Sequence, residues 1–259
     1  MPTAWLNAHA RLLLVAPSEA ETRAALLGLG LDVGVVEPWR LIVVDDRVAA
    51  LCTGVGKANA AGAVAKLLPE QGLTGVALLG LAGALPRTPP LQLLDTVLAT
   101  RCLFADEGVR SEEGYSTMQA EGFGLFPPHA APQEPAQLDA CAPSARMLSW
   151  LSPLADQKAP VATVSTCSGT DALAQEIVRR SGAAAEAMEG AAVGLALERL
   201  VAAGLVRTPP LFAELRVISN TTGDRSRQRW RLQEALAALG PLAREVRELC
   251  LPRLLEQAD

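Results

Sequence analysis

Six short apolar runs recur along the chain: 11–16 (RLLLVA), 47–53 (RVAALCT), 75–80 (GVALLG), 95–100 (DTVLAT), 161–165 (VATVS) and 211–219 (LFAELRVIS). Several are followed by helical patterns with recognisable ends. Residues 18–30 open on Ser18 and close on glycines, 57–68 stop at Pro69, and 190–204 stop at Gly204. Strands alternating with helices predict an α/β sandwich with a largely parallel or mixed sheet. The neighbouring runs 41–44 and 47–53, joined through Asp-Asp-Arg, read as a hairpin, so the sheet is expected to be mixed. Aromatic residues are only 3% of a chain that is 50% hydrophobic, so the core must be Leu, Val and Ala.

The remainder is organised around this pattern. Residues 227–257 read as helix with a break at Gly240–Pro241. Residues 127–160 hold seven of the eighteen prolines and read as a long loop or insertion in a single domain spanning 1–259. RTPPL occurs at 87–91 and 207–211, too little for a repeat, and is read as two similar turns.

Composition excludes several classes of function. A net charge of −5 without a basic cluster argues against nucleic acid. No apolar run reaches the ~18 residues of a membrane span. Five scattered cysteines without a CxxC indicate neither a zinc site nor a disulfide framework, which fits a reducing cytoplasm. His9 and His129 lie far from every motif, so no His-ligated metal is expected, nor any cofactor.

Four stretches can carry chemistry. In 53–62 (TGVGKANAAG), Asn59 breaks a dinucleotide fingerprint, and Leu51 and Ala58 break a P-loop. A glycine turn before a helix remains, able to bind a polar ligand through N–H groups or simply to turn the chain. In 185–197, Glu189 opens the stripe Val193, Ala196, Leu197 and Leu200. A buried carboxylate needs partners. It is either a structural ion pair or an acceptor for two hydroxyls, as a vicinal diol would supply. In 16–26, Ser18 and Glu21 fit a capping box, while Glu19 and Glu21 also sit where α/β folds bind ligands. In 211–225, Arg216, Ile218 and Asn220 share one strand face, and Val217 and Ser219 the other. Ser219 and Asn220 either start a turn or meet a ligand.

Taken in order, SEAE, TGVGKANAAG, GLAGAL, STCSGT, EAMEGAAV and RVISNTTGDR resemble the nucleoside phosphorylase and nucleosidase family, in its hydrolase branch. The likeness covers about 10–100 and 160–245, and it implies a three-layer α/β/α sandwich with a central mixed sheet. The resemblance implies that Glu21, with Glu19 as the alternative, activates a water, and that Met188 and Glu189 hold a ribose. It implies a turn at Ala82 and Gly83 lining the cleft, and contacts to a base from Thr166, Cys167 and Ser168. Trp230 falls where a hydrophobic residue closes over the ligand.

Leu81 stands where many relatives have a small polar residue. Asn220 stands where adenine-releasing relatives have an aspartate. An amide cannot deliver a proton, but it can hydrogen-bond a 6-oxopurine. Ser219, Asn220, Gly223 and Arg225 thereby resemble the branch that hydrolyses futalosine to release hypoxanthine on a route to menaquinone. Arg216 or Arg225 could assist the departing base, or Arg216 could hold Glu189; Asp224 is a reserve acid. The partners implied are a small nucleoside and a second copy of the chain, since relatives commonly complete their sites near a subunit interface. The alternatives are an adenine-releasing methylthioadenosine/S-adenosylhomocysteine nucleosidase and a silent nucleoside-binding protein.

Overall fold

The computed structural model describes residues 11–70, 73–125, 138–206 and 208–256. His9, His129, Arg207 and residues 127–137 of the proline-rich stretch lie outside them. In chain order the elements begin with β1 (Leu12–Ala16), α1 (Glu19–Gly28), β2 (Leu41–Val43), β3 (Val48–Cys52), α2 (Lys57–Leu67), β4 (Gly75–Ala84) and β5 (Thr96–Phe104). The short pieces β6 (Gly108–Ser111), β7 (Gly114–Thr117) and β8 (Ala140–Cys141) precede α3 (Ala145–Leu151), β9 (Gln157–Thr163) and α4 (Asp171–Ser181). Then come β10 (Ala185–Ala187), α5 (Gly190–Ala202), β11 (Leu211–Thr221) and α6 (Leu232–Leu255).

The main sheet runs β10-β9-β5-β11-β4-β1-β3-β2 and is mixed, as the sequence indicates. The strands β1, β3, β4 and β11 pair in parallel, whereas β2 returns antiparallel on β3 and β5 antiparallel on β11. Strand β10 also pairs antiparallel with β4, so β10, β9, β5, β11 and β4 close into a ring. One face packs Leu13, Val15, Leu51, Val76 and Leu78 against α2 and α5. The other packs Leu12, Leu14, Leu79, Leu215 and Val217 against α1, α3 and α6. These are the three expected layers, with an aliphatic core.

Two expectations give way to packing. The helix α6 runs through Gly240 and Pro241 without a break, with Pro252 also inside it. Gly240 is instead the point where α6 crosses α1: a Cβ added to Gly28 would fall 2.0 Å from the Gly240 carbonyl oxygen. Nor is the stretch 127–160 irregular to its end. Met147 and Leu151 of α3 are fully buried, and β9 starts at Gln157 with Pro160 inside the strand. Tertiary burial overrides the proline count there. Among the described residues no helix is long and apolar enough to cross a membrane.

Candidate active site

The site lies at the C-terminal ends of β4 and β11, where Arg216 pairs in register with Gly80. An added Cβ on Gly80 would fall 2.6 Å from Arg216 Nη1 and 2.9 Å from Glu21 Oε1. Glycine there is what lets both side chains lie over the strand. Arg216 is 1% exposed. Its Nε donates to Glu214 Oε1 at 2.8 Å, its Nη2 to Glu189 Oε2 at 3.1 Å, and its Nη1 to the Leu81 carbonyl at 3.3 Å. Burial alone would lower its pKa, but Glu214, Glu189 and Glu21 hold it above the usual range. A buried cation persists only with such company.

Glu189 is the N-cap residue of α5, with Val193, Ala196, Leu197 and Leu200 buried behind it. Besides Arg216 it accepts Gly56 N–H at 3.0 Å, on Oε1. The glycine turn thus spends that N–H on a carboxylate of the protein; Gly54 and Gly56 both have positive φ, which glycine adopts without strain. Burial pushes the Glu189 pKa up, opposed by Arg216 and by the Gly56 N–H. Met188, partly buried, precedes it in the loop after β10.

Glu21 forms the expected capping box and also reaches the Arg216 cluster. Its Oε2 accepts Ser18 N–H and the Ser18 hydroxyl, completing a capping box on α1. Its Oε1 accepts Leu81 N–H at 2.8 Å. A carboxylate oxygen takes two hydrogen bonds, so Oε1 keeps a second direction open beside Gly80. Glu21 is 8% exposed, whereas Glu19 is exposed and paired with Arg23. Of the two candidate carboxylates, Glu21 is the one in the cluster.

Ala82 and Gly83 are not in a turn. They belong to β4, paired with Ile218 and Asn220 of β11, because β4 extends four residues beyond the apolar run that marks it in the sequence. Between Ile218 and Asn220 the register slips, leaving Ser219 as a bulge. Strict alternation ends there, so the shared face of Arg216 and Ile218 does not carry on to Asn220. Buried Ser219 donates to Asn220 Oδ1 at 2.9 Å, and Asn220 Nδ2 donates to the Thr221 carbonyl at 3.0 Å. The amide is therefore oriented, with one N–H and one lone pair still free.

The residues 164–170 follow β9 as a loop. Thr166 and Cys167 are exposed and Ser168 is buried. Gly223 N–H and Arg225 N–H donate to the carbonyls of Ser168 and Gly169, at 3.1 and 3.2 Å, joining this loop to the turn after β11. Trp230 forms a backbone bridge with Asn220 and is 51% exposed. Asp224 accepts from Ser226 and Arg227, and the Ser226 bonds most of all lower its pKa. Its carboxylate is engaged within this surface turn.

Sequence reading missed three groups. Glu214 is fully buried, and its place two residues before Arg216 on one strand was the available signal. Glu186 is 5% exposed and accepts the Ser168 N–H and hydroxyl at 2.7 and 2.6 Å. Asp106 pairs with Lys57 and accepts Ser165 N–H and Thr166 N–H, with no motif to announce it.

Comparison with known proteins agrees with this geometry. A family model described as the phosphorylase superfamily matches residues 12–250. The chain is 34% identical over 197 residues to the futalosine hydrolase of Thermus thermophilus, covering 76% of this chain and 78% of that one. It is 36% identical over 195 residues to the futalosine hydrolase of Streptomyces coelicolor, covering 73% and 74%. Among solved structures, a 5'-methylthioadenosine/S-adenosylhomocysteine nucleosidase from Helicobacter pylori superposes with a TM-score of 0.67 at 15% identity, over 96% of this chain and 99% of that one. A futalosine hydrolase mutant from the same organism gives 0.64 at 15%, again over 96% and 99%. By sequence and by fold, the chain belongs to the phosphorylase superfamily and, within it, to the futalosine hydrolase family.

Proposed function

We propose that the protein hydrolyses the N-glycosidic bond of futalosine, releasing hypoxanthine and dehypoxanthine futalosine. The observation that carries hydrolysis over phosphorolysis is the charge around Arg216. This guanidinium is already taken by Glu214 and Glu189, with Glu21 alongside. A phosphate entering there would meet three carboxylates and no free cation of the cluster. A neutral water meets no such repulsion.

In this mechanism Glu21 Oε1 orients the water and takes its proton as the oxygen bonds to the anomeric carbon. A positioned base of this kind contributes roughly 10²–10⁴-fold. Glu189 accepts the two ribose hydroxyls, and Met188 packs beside the sugar. As the glycosidic bond breaks, its electron pair stays with the purine. Asn220, fixed by Ser219, hydrogen-bonds the departing 6-oxopurine, which takes a proton from solvent. Ala82, Gly83 and the loop through Thr166, Cys167 and Ser168 line the base side, and Trp230 covers the ligand when it binds. Arg216 acts by holding Glu189.

The reading extends to a single catalytic domain in the cytoplasm, assembled as a homo-oligomer and serving menaquinone formation by the futalosine route. The relatives' names support the reaction on which the route depends, and the free cysteines fit a reducing compartment. The assay incubates the protein without phosphate with futalosine, inosine and methylthioadenosine, and identifies the base by chromatography. Hypoxanthine from futalosine is expected. Adenine from methylthioadenosine would move the assignment to the adenine-releasing branch, and no base at all to a silent binding protein.

A further inference from the structure

The carboxylate of Glu214 has no place in the mechanism above, yet it is the most deeply buried charge-bearing group beside the site. Its residue is 0% exposed. Oε1 accepts Arg216 Nε at 2.8 Å. Oε2 is buried with no hydrogen-bond partner. It lies against the first turn of α5, where a Cβ on Gly190 would fall 2.0 Å away. The glycine after Glu189 thus makes room for Glu214, as Gly80 makes room for Arg216. The groups facing Glu214 are Arg216 on its own strand, the Gly190 backbone beside Glu189 on α5, and Cys102 on β5 with Cys141 on β8 behind it. Glu21 on α1 reaches the same cluster through Arg216.

One guanidinium therefore serves three carboxylates. Without Glu214, its full charge would fall on Glu189 and Glu21, and Nε would have no anchor. We propose that Glu214 is a positioning residue: it draws Arg216 back at Nε, so that Arg216 orients Glu189 without neutralising the carboxylate of Glu21. The excess negative charge left in the cluster is complementary to an oxocarbenium-like transition state. This rests on the nucleosidase reading above.

The test compares wild-type protein with Glu214→Gln in futalosine hydrolysis across pH 4–9. Removing one buried negative charge stabilises the anionic forms of the remaining carboxylates, so the acid limb of kcat/KM should move down by about one pH unit. The weaker base should lower the kcat plateau roughly 10-fold, with KM changed less than about threefold. An unmoved acid limb with wild-type kcat overturns the proposal, even if the melting temperature drops, because a purely structural role would do only that. If Glu214→Gln does not fold, Glu214→Asp retains the charge but pulls it back from Nε; it should lose kcat and leave KM nearly unchanged, and a wild-type kcat would overturn the proposal. Wild type is assayed first. If it releases no base, the activity assignment fails, and the Glu214 role falls with it; a live wild type with an unaffected variant speaks against Glu214 alone.

Discussion

Glu21 caps α1, and the base role proposed for the same carboxylate can be separated from the cap. Glu21→Gln keeps the side-chain shape and one carbonyl oxygen but cannot take a proton from water. Turnover should nearly vanish while calorimetry still shows binding of the nucleoside; substantial residual turnover would remove Glu21 from the base role. Asn220→Ala should cost about 1–3 kcal/mol of transition-state stabilisation by leaving a base edge unpaired, read as a 5- to 200-fold loss in kcat/KM. Asn220→Asp should raise cleavage of adenine nucleosides relative to futalosine, and an unchanged base preference would count against Asn220 as the group that reads the base. At this scale the sequence was most informative where a residue type was out of place. Glu189 at the head of an apolar stripe and Asn220 at a strand end could both be singled out. Glu214 offered only its place two residues before Arg216, and nothing in an alternating strand says which acid will be left without water.

Helix α1 delivers Glu21 to the site, and its own placement depends on the crossing at Gly28 and Gly240. A methyl group on Gly28 meets a backbone carbonyl at 2.0 Å, and no rotamer change relieves a contact with backbone. Gly28→Ala should therefore destabilise the protein by about 1–3 kcal/mol despite alanine's better helix propensity. Thermal unfolding measures this, and an unchanged melting temperature would show the helices are not held so close. Element identities were largely legible: every apolar run became a strand, and Ser18, Gly204 and Pro69 mark helix ends in both readings. Boundaries set by pairing were not. Strand β4 runs on to Ala84 because β11 and β10 offer partners on both sides, and Ser219 bulges where that pairing slips. Neither fact is written in local spacing.

At the scale of the molecule, buried carboxylates set a pH dependence of stability. Burial, above all, raises the Glu186 pKa, against the lowering effect of its bonds from Ser168. A carboxyl whose folded pKa lies above its unfolded value binds its proton more tightly in the native state. Its contribution is intact below the unfolded value of about 4.3 and is lost as pH rises through the folded value. Glutamine at this position does not ionise. The melting temperature of Glu186→Gln relative to wild type should therefore increase between pH 4 and 8, and a constant difference would show that Glu186 gains nothing by keeping its proton.

The pairing of β4 with β11 joins residues 75–84 to 211–221, more than a hundred positions apart, and it is this ladder that brings Arg216 over Gly80. Until β11 docks, Glu21 and Glu189 have no shared counter-ion, and the closed ring of strands has a gap. Contacts of such sequence separation are slow to form. A ribosome that has released only the first two hundred residues holds a chain in which Ser18 and the Leu81 N–H can already fix Glu21, while Arg216 has yet to arrive. The order in which the ends of this protein meet is thus also the order in which its chemistry is switched on.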